Sequence, residues 1–514
     1  MIAKITNKVG TLFEVICEHH QYYLLLGVLV VHLTIGLVML DELPGQWFGD
    51  ISIVNDYVQS IINGQNLYKF ATSAGPLYFY LIAPIIAKGG SSYLLYKFLS
   101  VMVGCFNIVA TYLFARSISN KKIAITTAFV MSVSFWHIVW SRLGNFNIIT
   151  PGIVAASMLF FMRYTRTHSE RWIWMSYATA TCGLLIYAGT FVLPTVMFLL
   201  FGYELYRHRH KLGGRHLLTV VVLYVIGISI TLYLIVQNIE NFSGGYLGEK
   251  LRTSMQHSYY ENAHQLLINI WRTATMLHIE GDVVFRWNVP KMPHLDWVSG
   301  VCFLVGLWNI VRGSKQRIIY ILIPLLLLPI PSLLPGHPPA EVPSSPRNMM
   351  IMPMVYLMVA IGLNDVHRAL RRYTGRTAST AFILIIIGAI VLINLYRYFV
   401  RYPAGLPNKN IPYGRAVAEK IDSLTTDYVI YLGSVGWGEW GQPDFSEVFW
   451  SLRDRSKDIR QRIPNCSDLK SSRSIVFFDS SKLEQMMALA SCSQGKIVRY
   501  ARENSVIYWT LESK

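Results

Sequence analysis

The chain has 514 residues, of which 53% are hydrophobic, 13% aromatic and 15% charged, and its formal net charge is +17. A soluble globule carries about 25% charged residues, whereas here apolar runs of roughly twenty residues recur through most of the chain, so a soluble fold is excluded and a multi-pass α-helical membrane protein is expected. The positive balance does not point to nucleic acid, because Lys and Arg sit mainly in short loops between apolar runs, where they act as topology signals.

In chain order, MIAKITNKVG and the acids Glu14 and Glu18 precede a first apolar run near Tyr22. No small-residue cleavage site follows that run, so it reads as an uncleaved anchor. Hydropathy places spans at 22–40, 93–115, 123–140, 147–163, 172–188, 190–206, 217–237, 296–311, 318–334, 349–366 and 379–398. The loops ARSISNKK, RYTRTHSER, YRHRHKLGGRH, VRGSKQR and HRALRRYTGR hold seventeen Lys and Arg, and the opposite connections SRLGNF, YAGT and PGHPPAEVPSSPRN hold two. All five basic loops share one face only if GPLYFYLIAPIIAK, residues 75–88, does not cross the membrane. That segment is short against the roughly twenty residues a span needs, so it is expected to be a re-entrant or interfacial helix.

The expected fold is mainly α: a polytopic bundle of about eleven spans over 1–400, with the N-terminus cytoplasmic. The segments 41–92, 238–295 and 399–514 then share the outer face. Within the last, RAVAEKIDSL and KLEQMMALA read as helices, DYVIYLG and SIVFFDS as strands, and IVRYA with SVIYWTL as a closing hairpin, which predicts a small α/β domain over 401–514. Cys17, Cys105, Cys182 and Cys302 lie in or beside apolar runs and read as small packing residues. Cys466 and Cys492 lie in the polar C-terminal region, where an oxidising outer compartment permits a disulfide.

The chemistry collects on that outer face. LDELPGQWFGDISIVND, residues 40–56, carries four acids. Asp41 and Glu42 abut the first span and mark its polar edge, and Asp56 falls on a surface helix. WHIVWSRLGNFNIIT places Arg142 beside Trp140, Asn145 and Asn147; it reads either as an arginine reaching for headgroups or as a phosphate ligand, to which a guanidinium fork is suited. In LHIEGDVVFRWNVPKMPHLDWV, His278, Glu280 and Asp282 alternate as a weak metal-ligand trio, with an ordinary polar loop the simpler reading. Arg286 and Asn288 follow on a loop touching the membrane, and Arg347 stands at the outer mouth of a later span. One carboxylate with arginines nearby suits displacement at a sugar carbon bearing a lipid phosphate. The carboxylate deprotonates an acceptor hydroxyl, and the departing phosphate needs charge stabilisation rather than a general acid.

LPGQWFGDISIVNDYVQSIINGQNLY followed by GPLYFYLIAP resembles the first outer loop of GT-C type glycosyltransferases, in the branch of protein O-mannosyltransferases and the aminoarabinose transferases of lipid A. The resemblance extends through SFWHIVWSRLG, GDVVFRWNVPKMPHLD and SSPRN. It implies that Asp50 is the catalytic base, with Asp41 second, and it aligns Pro44, Gly45, Gly64 and Gly75–Tyr78 with the motifs around that acid. It further implies a polyprenyl-phosphate-linked sugar donor, a glycan, lipid or protein acceptor, and transfer with inversion on the outer face of a bacterial inner membrane. The donor phosphate is then assigned to Arg142, Arg286 and Arg347, and the sugar or acceptor site to Asp56, Tyr78, Asn145, Asp282 and Asn288. Ile51 stands where many members carry a glutamate, which leaves the use of a divalent metal open. A transporter or flippase, which expects charges along a mid-membrane path, and an O-antigen polymerase or ligase are the alternatives from other classes.

Overall fold

The structure, a computed structural model, describes residues 21–45, 50–65, 75–90, 92–210, 214–237, 255–333, 341–410, 412–433, 445–454, 456–478, 482–502 and 505–513. Helices dominate these residues, and a single small sheet lies near the C-terminus. In lipid an apolar run must satisfy its own backbone, which leaves the helix as its solution. The turns between the runs supply the caps. Ser92, Asn120, Asp296 and Ser314 each accept a main-chain N–H from the first turn of the helix that follows.

Five helices among the described residues are long and apolar enough to cross a membrane, and six if the pair Lys121–Val133 and Phe135–Arg142, bent by 59°, is one span. The expected span at 123–140 is thus broken at Ser134. Four shorter apolar helices accompany them: Gln21–Leu37, Pro76–Gly89, Gly214–Ile230 and Trp297–Val311.

Two features fix the path of the chain. Pro76–Gly89 has 14 residues, about 21 Å of helix against a hydrocarbon core of about 30 Å. Its leading Gly75 donates its N–H to the Ile186 carbonyl, while just beyond it the Tyr93 hydroxyl reaches the Leu143 carbonyl. Leu143 sits in the sparsely charged connection SRLGNF and Ile186 directly precedes YAGT, so both flanks of the helix reach one end of the bundle. The second feature is Gly375, whose φ of 77° interrupts the continuous run Met352–Tyr396. Ser345 before the run and Asn394 near its end hydrogen-bond the neighbouring residues Trp136 and Phe135. A straight helix would hold those ends about 60 Å apart, so the chain doubles back at Gly375 as a helical hairpin. The first arm packs closely on Trp297–Val311, where Gly306 faces the Met358 carbonyl and Gly362 the Cys302 carbonyl with no room for a side chain.

The basic loops gather at the other end. One cavity of about 320 Å³ is lined by Ser119, Arg166, Arg317 and Arg368, from four of them. The fifth joins through His168 and His208, whose rings are 4.8 Å apart.

The C-terminal sheet has the order β2-β1-β3-β5-β4, with β1 (Val429–Leu432), β2 (Ile459–Arg460) and β3 (Ser474–Phe478) parallel and β4 (Lys496–Arg502) and β5 (Ser505–Ser513) forming an antiparallel hairpin. One face buries an apolar cluster against the helices Tyr413–Asp422 and Phe445–Ser451; the other packs on Leu469 and on Met486 of the helix Leu483–Ser493. The short β2 and the helices Phe445–Ser451 and Cys466–Ser471 were not expected from sequence. Nor was the helix Tyr259–Thr275, capped by Ser258 and Glu261, which leaves Leu267 and Trp271 exposed. Cys466 and Cys492 form a disulfide with Cα atoms 5.9 Å apart.

Candidate active site

At the end opposite the basic loops, the three stretches WHIVWSR, GDVVFRWN and SSPRN converge. Their organiser is Asp282, buried on the loop before the helix Trp297–Val311. Its carboxylate accepts the Val284 N–H (2.8 Å), the Trp287 indole N–H (2.7 Å) and the Ser345 N–H (2.6 Å). Asn288 braces the same loop by donating to the carbonyls of Asp282 and Met292. Trp287 stacks on Trp140 with ring centroids 5.4 Å apart, and the Ser345 hydroxyl accepts the indole N–H groups of both Trp136 and Trp140. Burial pushes the Asp282 carboxyl up to about 6, against the opposing pull of its three donors. Burial likewise holds His294, which meets Trp136 edge-on, down to about 3. Asp296 and Asn394 close the base of this network at 2.8 Å, and Asn394 in turn accepts the Phe135 N–H.

Three cations are buried around it. The Arg142 guanidinium donates to the carbonyls of Ile35 (2.5 Å), Gly36 (3.0 Å) and Leu43 (3.3 Å), and lies over the Tyr398 ring. It is fully enclosed by protein, so the reading of Arg142 as a side chain reaching out to headgroups is overturned. Lys97 donates to the carbonyls of Leu40 and Pro44 and sits over the Tyr93 ring. Together the two hold the chain from the end of the first helix to the Pro44–Gly45 turn. Arg286 lies over Trp287, and its main-chain carbonyl accepts the hydroxyl of Tyr402, which stacks on Tyr398.

The first outer loop leads away from this clamp. Asp41 is exposed and paired with Arg415 at 3.3 Å; Asn410 bonds both the Gly45 N–H and the Glu42 carbonyl. The residues after the last span are thereby tied to the turn that precedes Asp50. Asp50 opens the helix Asp50–Ile62, which packs on Pro76–Gly89; its side chain, like residues 46–49, lies outside what the structure describes. Asp56 is exposed on that helix, and Tyr78 is buried on the next, beside Phe146. Asn145 caps the short helix Phe146–Ile149 through the Asn147 N–H.

The trio His278, Glu280 and Asp282 is not brought together. His278 bonds the Gly300 carbonyl, Glu280 pairs with Lys291 at 3.4 Å, and Asp282 serves the network above. Strand-like alternation does not hold in this loop, so the three side chains diverge. Arg347 pairs with Glu341 at 2.9 Å. Sequence reasoning passed over Lys97, Tyr398 and Tyr402. A lysine inside an apolar run was the available signal for the first, and the i, i+4 spacing of the two tyrosines was the signal for the others.

The fold is that of solved membrane glycosyltransferases of the GT-C type. ArnT from Cupriavidus metallidurans in the apo state aligns with a TM-score of 0.54 at 11% identity, over 95% of this chain and 98% of that one. The archaeal oligosaccharyltransferase AglB from Archaeoglobus fulgidus, in complex with an inhibitory peptide and a dolichol-phosphate, aligns with a TM-score of 0.50 at 12% identity, over 96% of this chain and 74% of that one. More particularly, residues 73–235 match the family model of dolichyl-phosphate-mannose-protein mannosyltransferases, in agreement with the resemblance seen in the sequence. No curated protein matches the chain by sequence.

Proposed function

We propose that the chain is a membrane glycosyltransferase that moves a sugar from a polyprenyl-phosphate donor to an acceptor hydroxyl, with Asp50 as the base. The observation that carries this reading is the convergence of the three stretches and the clamped 35–45 segment at one end of the bundle, directly before Asp50. A buried guanidinium stacked on an aromatic wall suits an anionic lipid phosphate. The dolichol-phosphate in the AglB complex, a protein of the same fold, supports a donor of that class.

In the proposed reaction Asp50 takes the proton of the acceptor hydroxyl as its oxygen attacks the anomeric carbon. The bond from that carbon to the phosphate oxygen breaks, and the lipid phosphate departs on the opposite face, so the configuration inverts. Arg286, stacked over the Trp287 ring in the stretch GDVVFRWN, is the proposed phosphate ligand. Arg142 is committed to three carbonyls and Arg347 to Glu341, so they serve as positioning residues. Eleven spans, with the basic loops cytoplasmic and the C-terminal region periplasmic, accommodate both the gathering of the basic loops at one end and the Cys466–Cys492 disulfide, which belongs in an oxidising compartment.

Incubating the purified protein in nanodiscs with a panel of polyprenyl-phosphate sugars and following release of the lipid phosphate tests the reaction class. Release that depends on one sugar and on an acceptor is the expected outcome. Movement of intact donor between leaflets without release would instead identify a flippase.

A further inference from the structure

A second cluster of ligating side chains lies at the end where the basic loops gather. The helix Thr150–Thr167 ends at His168, and the helix Leu193–Arg207 carries Glu204 in its last turn and is followed by His208. Glu204 and His208, four residues apart, lie on the same face. One donor atom from each of His168, Glu204 and His208 lies within 4.8 Å of the other two, the one such group among the described residues. His208 Nδ1 and Glu204 Oε1 lie 3.1 Å apart.

The surroundings favour a cation. Glu204 is 1% exposed, and a buried carboxylate is costly unless its charge is compensated. Its Oε2 accepts the Tyr320 hydroxyl and lies 3.8 Å from the half-exposed Arg207 guanidinium, which leaves Oε1 toward the imidazoles. His208 Nδ1 also lies 3.2 Å from the Glu204 main-chain carbonyl, a contact a bound metal would displace or leave to the other ring nitrogen. His168 ends its helix at φ 48°, a left-handed conformation usually left to glycine, and the ring of Tyr164 packs edge-on against its imidazole. Tyr164 reaches His216 at 3.4 Å, and His216 faces Glu170, so a further polar layer surrounds the cluster.

We propose that His168, Glu204 and His208 bind a borderline divalent cation of the zinc class at the end of the bundle opposite the candidate active site. Zn²⁺ bonds of about 2.0–2.2 Å put tetrahedral ligand atoms about 3.3–3.5 Å apart. The Glu204–His208 pair is already near that spacing, and a His168 donor atom lies within 4.8 Å of both. Two imidazoles and one carboxylate form a set that zinc accepts, with a water in the fourth position. The ion would tie the ends of Thr150–Thr167 and Leu193–Arg207 to each other, and through Glu204 to Tyr320 on the helix Lys315–Leu327.

The test uses full-length protein purified without a polyhistidine tag, stripped with chelator and titrated with Zn²⁺ against a chromophoric competitor, with bound metal counted by mass spectrometry. One zinc per chain and a rise in Tm are expected. His168→Ala, His208→Ala and the isosteric Glu204→Gln should each weaken binding ten-fold or more, whereas the exposed His210→Ala should not. If an alanine variant fails to elute as a folded monodisperse species, Glu204→Gln and X-ray absorption of the zinc-loaded wild type decide, with two imidazoles and a carboxylate the expected shell. No stoichiometric zinc in the wild type, a shell without imidazole, or unchanged affinity in the folded variants overturns the proposal. Transfer activity is not needed for any of these readouts.

Discussion

The two ends of the bundle use cations differently. Around the candidate active site, Lys97 and Arg142 are buried and aimed at main-chain carbonyls, so their N–H donors fix the shape of one segment of chain. At the opposite end, Arg207 and Arg368 are more than two-fifths exposed and form ion pairs of 3.8–3.9 Å within their own helices. The first arrangement depends on low dielectric and strict geometry; the second works through net charge and tolerates exchange. A high arginine count therefore says little about function until burial is known.

That contrast can be broken by mutation. The largest effect is expected for Arg142→Ala, which removes the side-chain donor to the Ile35 and Gly36 carbonyls and one of two donors to the Leu43 carbonyl. A loss of about 3 kcal/mol or more is anticipated, read as a collapse in folded, monodisperse protein after detergent extraction. Arg142→Lys, with a point charge in place of the fork, should recover only part of it. Next comes the double variant Cys466→Ser and Cys492→Ser. The bridge closes 26 residues, and removing such a loop constraint costs about 3–4 kcal/mol on the chain-entropy view. Limited proteolysis should show the C-terminal region opening while the helical region stays protected.

A smaller, pH-dependent effect separates Asp282 from His294. A carboxyl raised to about 6 when folded holds its proton better there than in the unfolded chain, so its contribution to stability falls as pH rises from about 4 to 6. An imidazole lowered to about 3 binds its proton better in the unfolded chain, so its contribution rises over the same interval. In the wild type the two slopes oppose each other. Asp282→Asn leaves the His294 slope unopposed, and its Tm should fall more than that of the wild type on acidification from pH 6 to 4. An equal fall in both proteins would remove the buried-carboxyl account. The smallest effect is expected at the other end, where Arg368→Ala should change stability by no more than about 0.5 kcal/mol.

Much of the scaffold was legible in one dimension. Hydropathy marks the long apolar helices, the bias of Lys and Arg groups their loops, and the shortness of GPLYFYLIAPIIAK sets it apart as a 14-residue helix. Alternation in DYVIYLG and SIVFFDS marks strands, because side chains alternate across a pleated sheet. The candidate site was legible only as motifs. The partners of Arg142 are carbonyls of Ile35, Gly36 and Leu43, and main-chain atoms leave no mark in a sequence. The Asp282 network joins residues from 135 to 394, and for the trio His278, Glu280 and Asp282 the ordinary polar loop was the better reading, because spacing alone does not say which way a loop aims its side chains. The cluster of His168, Glu204 and His208 had the same obstacle. His168 and His208 lie in two loops that read only as basic, and Glu204 lies near the end of the apolar run before the second.

The central claim rests on Asp50, and the most direct measurement compares Asp50→Asn with Asp41→Asn in a transfer assay with the donor that the wild type accepts. Asp41 lies nine positions earlier in the same loop but is exposed and held by Arg415. Loss of lipid-phosphate release in Asp50→Asn, with folding intact and with Asp41→Asn retaining most activity, is the predicted result. Full activity of Asp50→Asn, or loss confined to Asp41→Asn, would contradict the account.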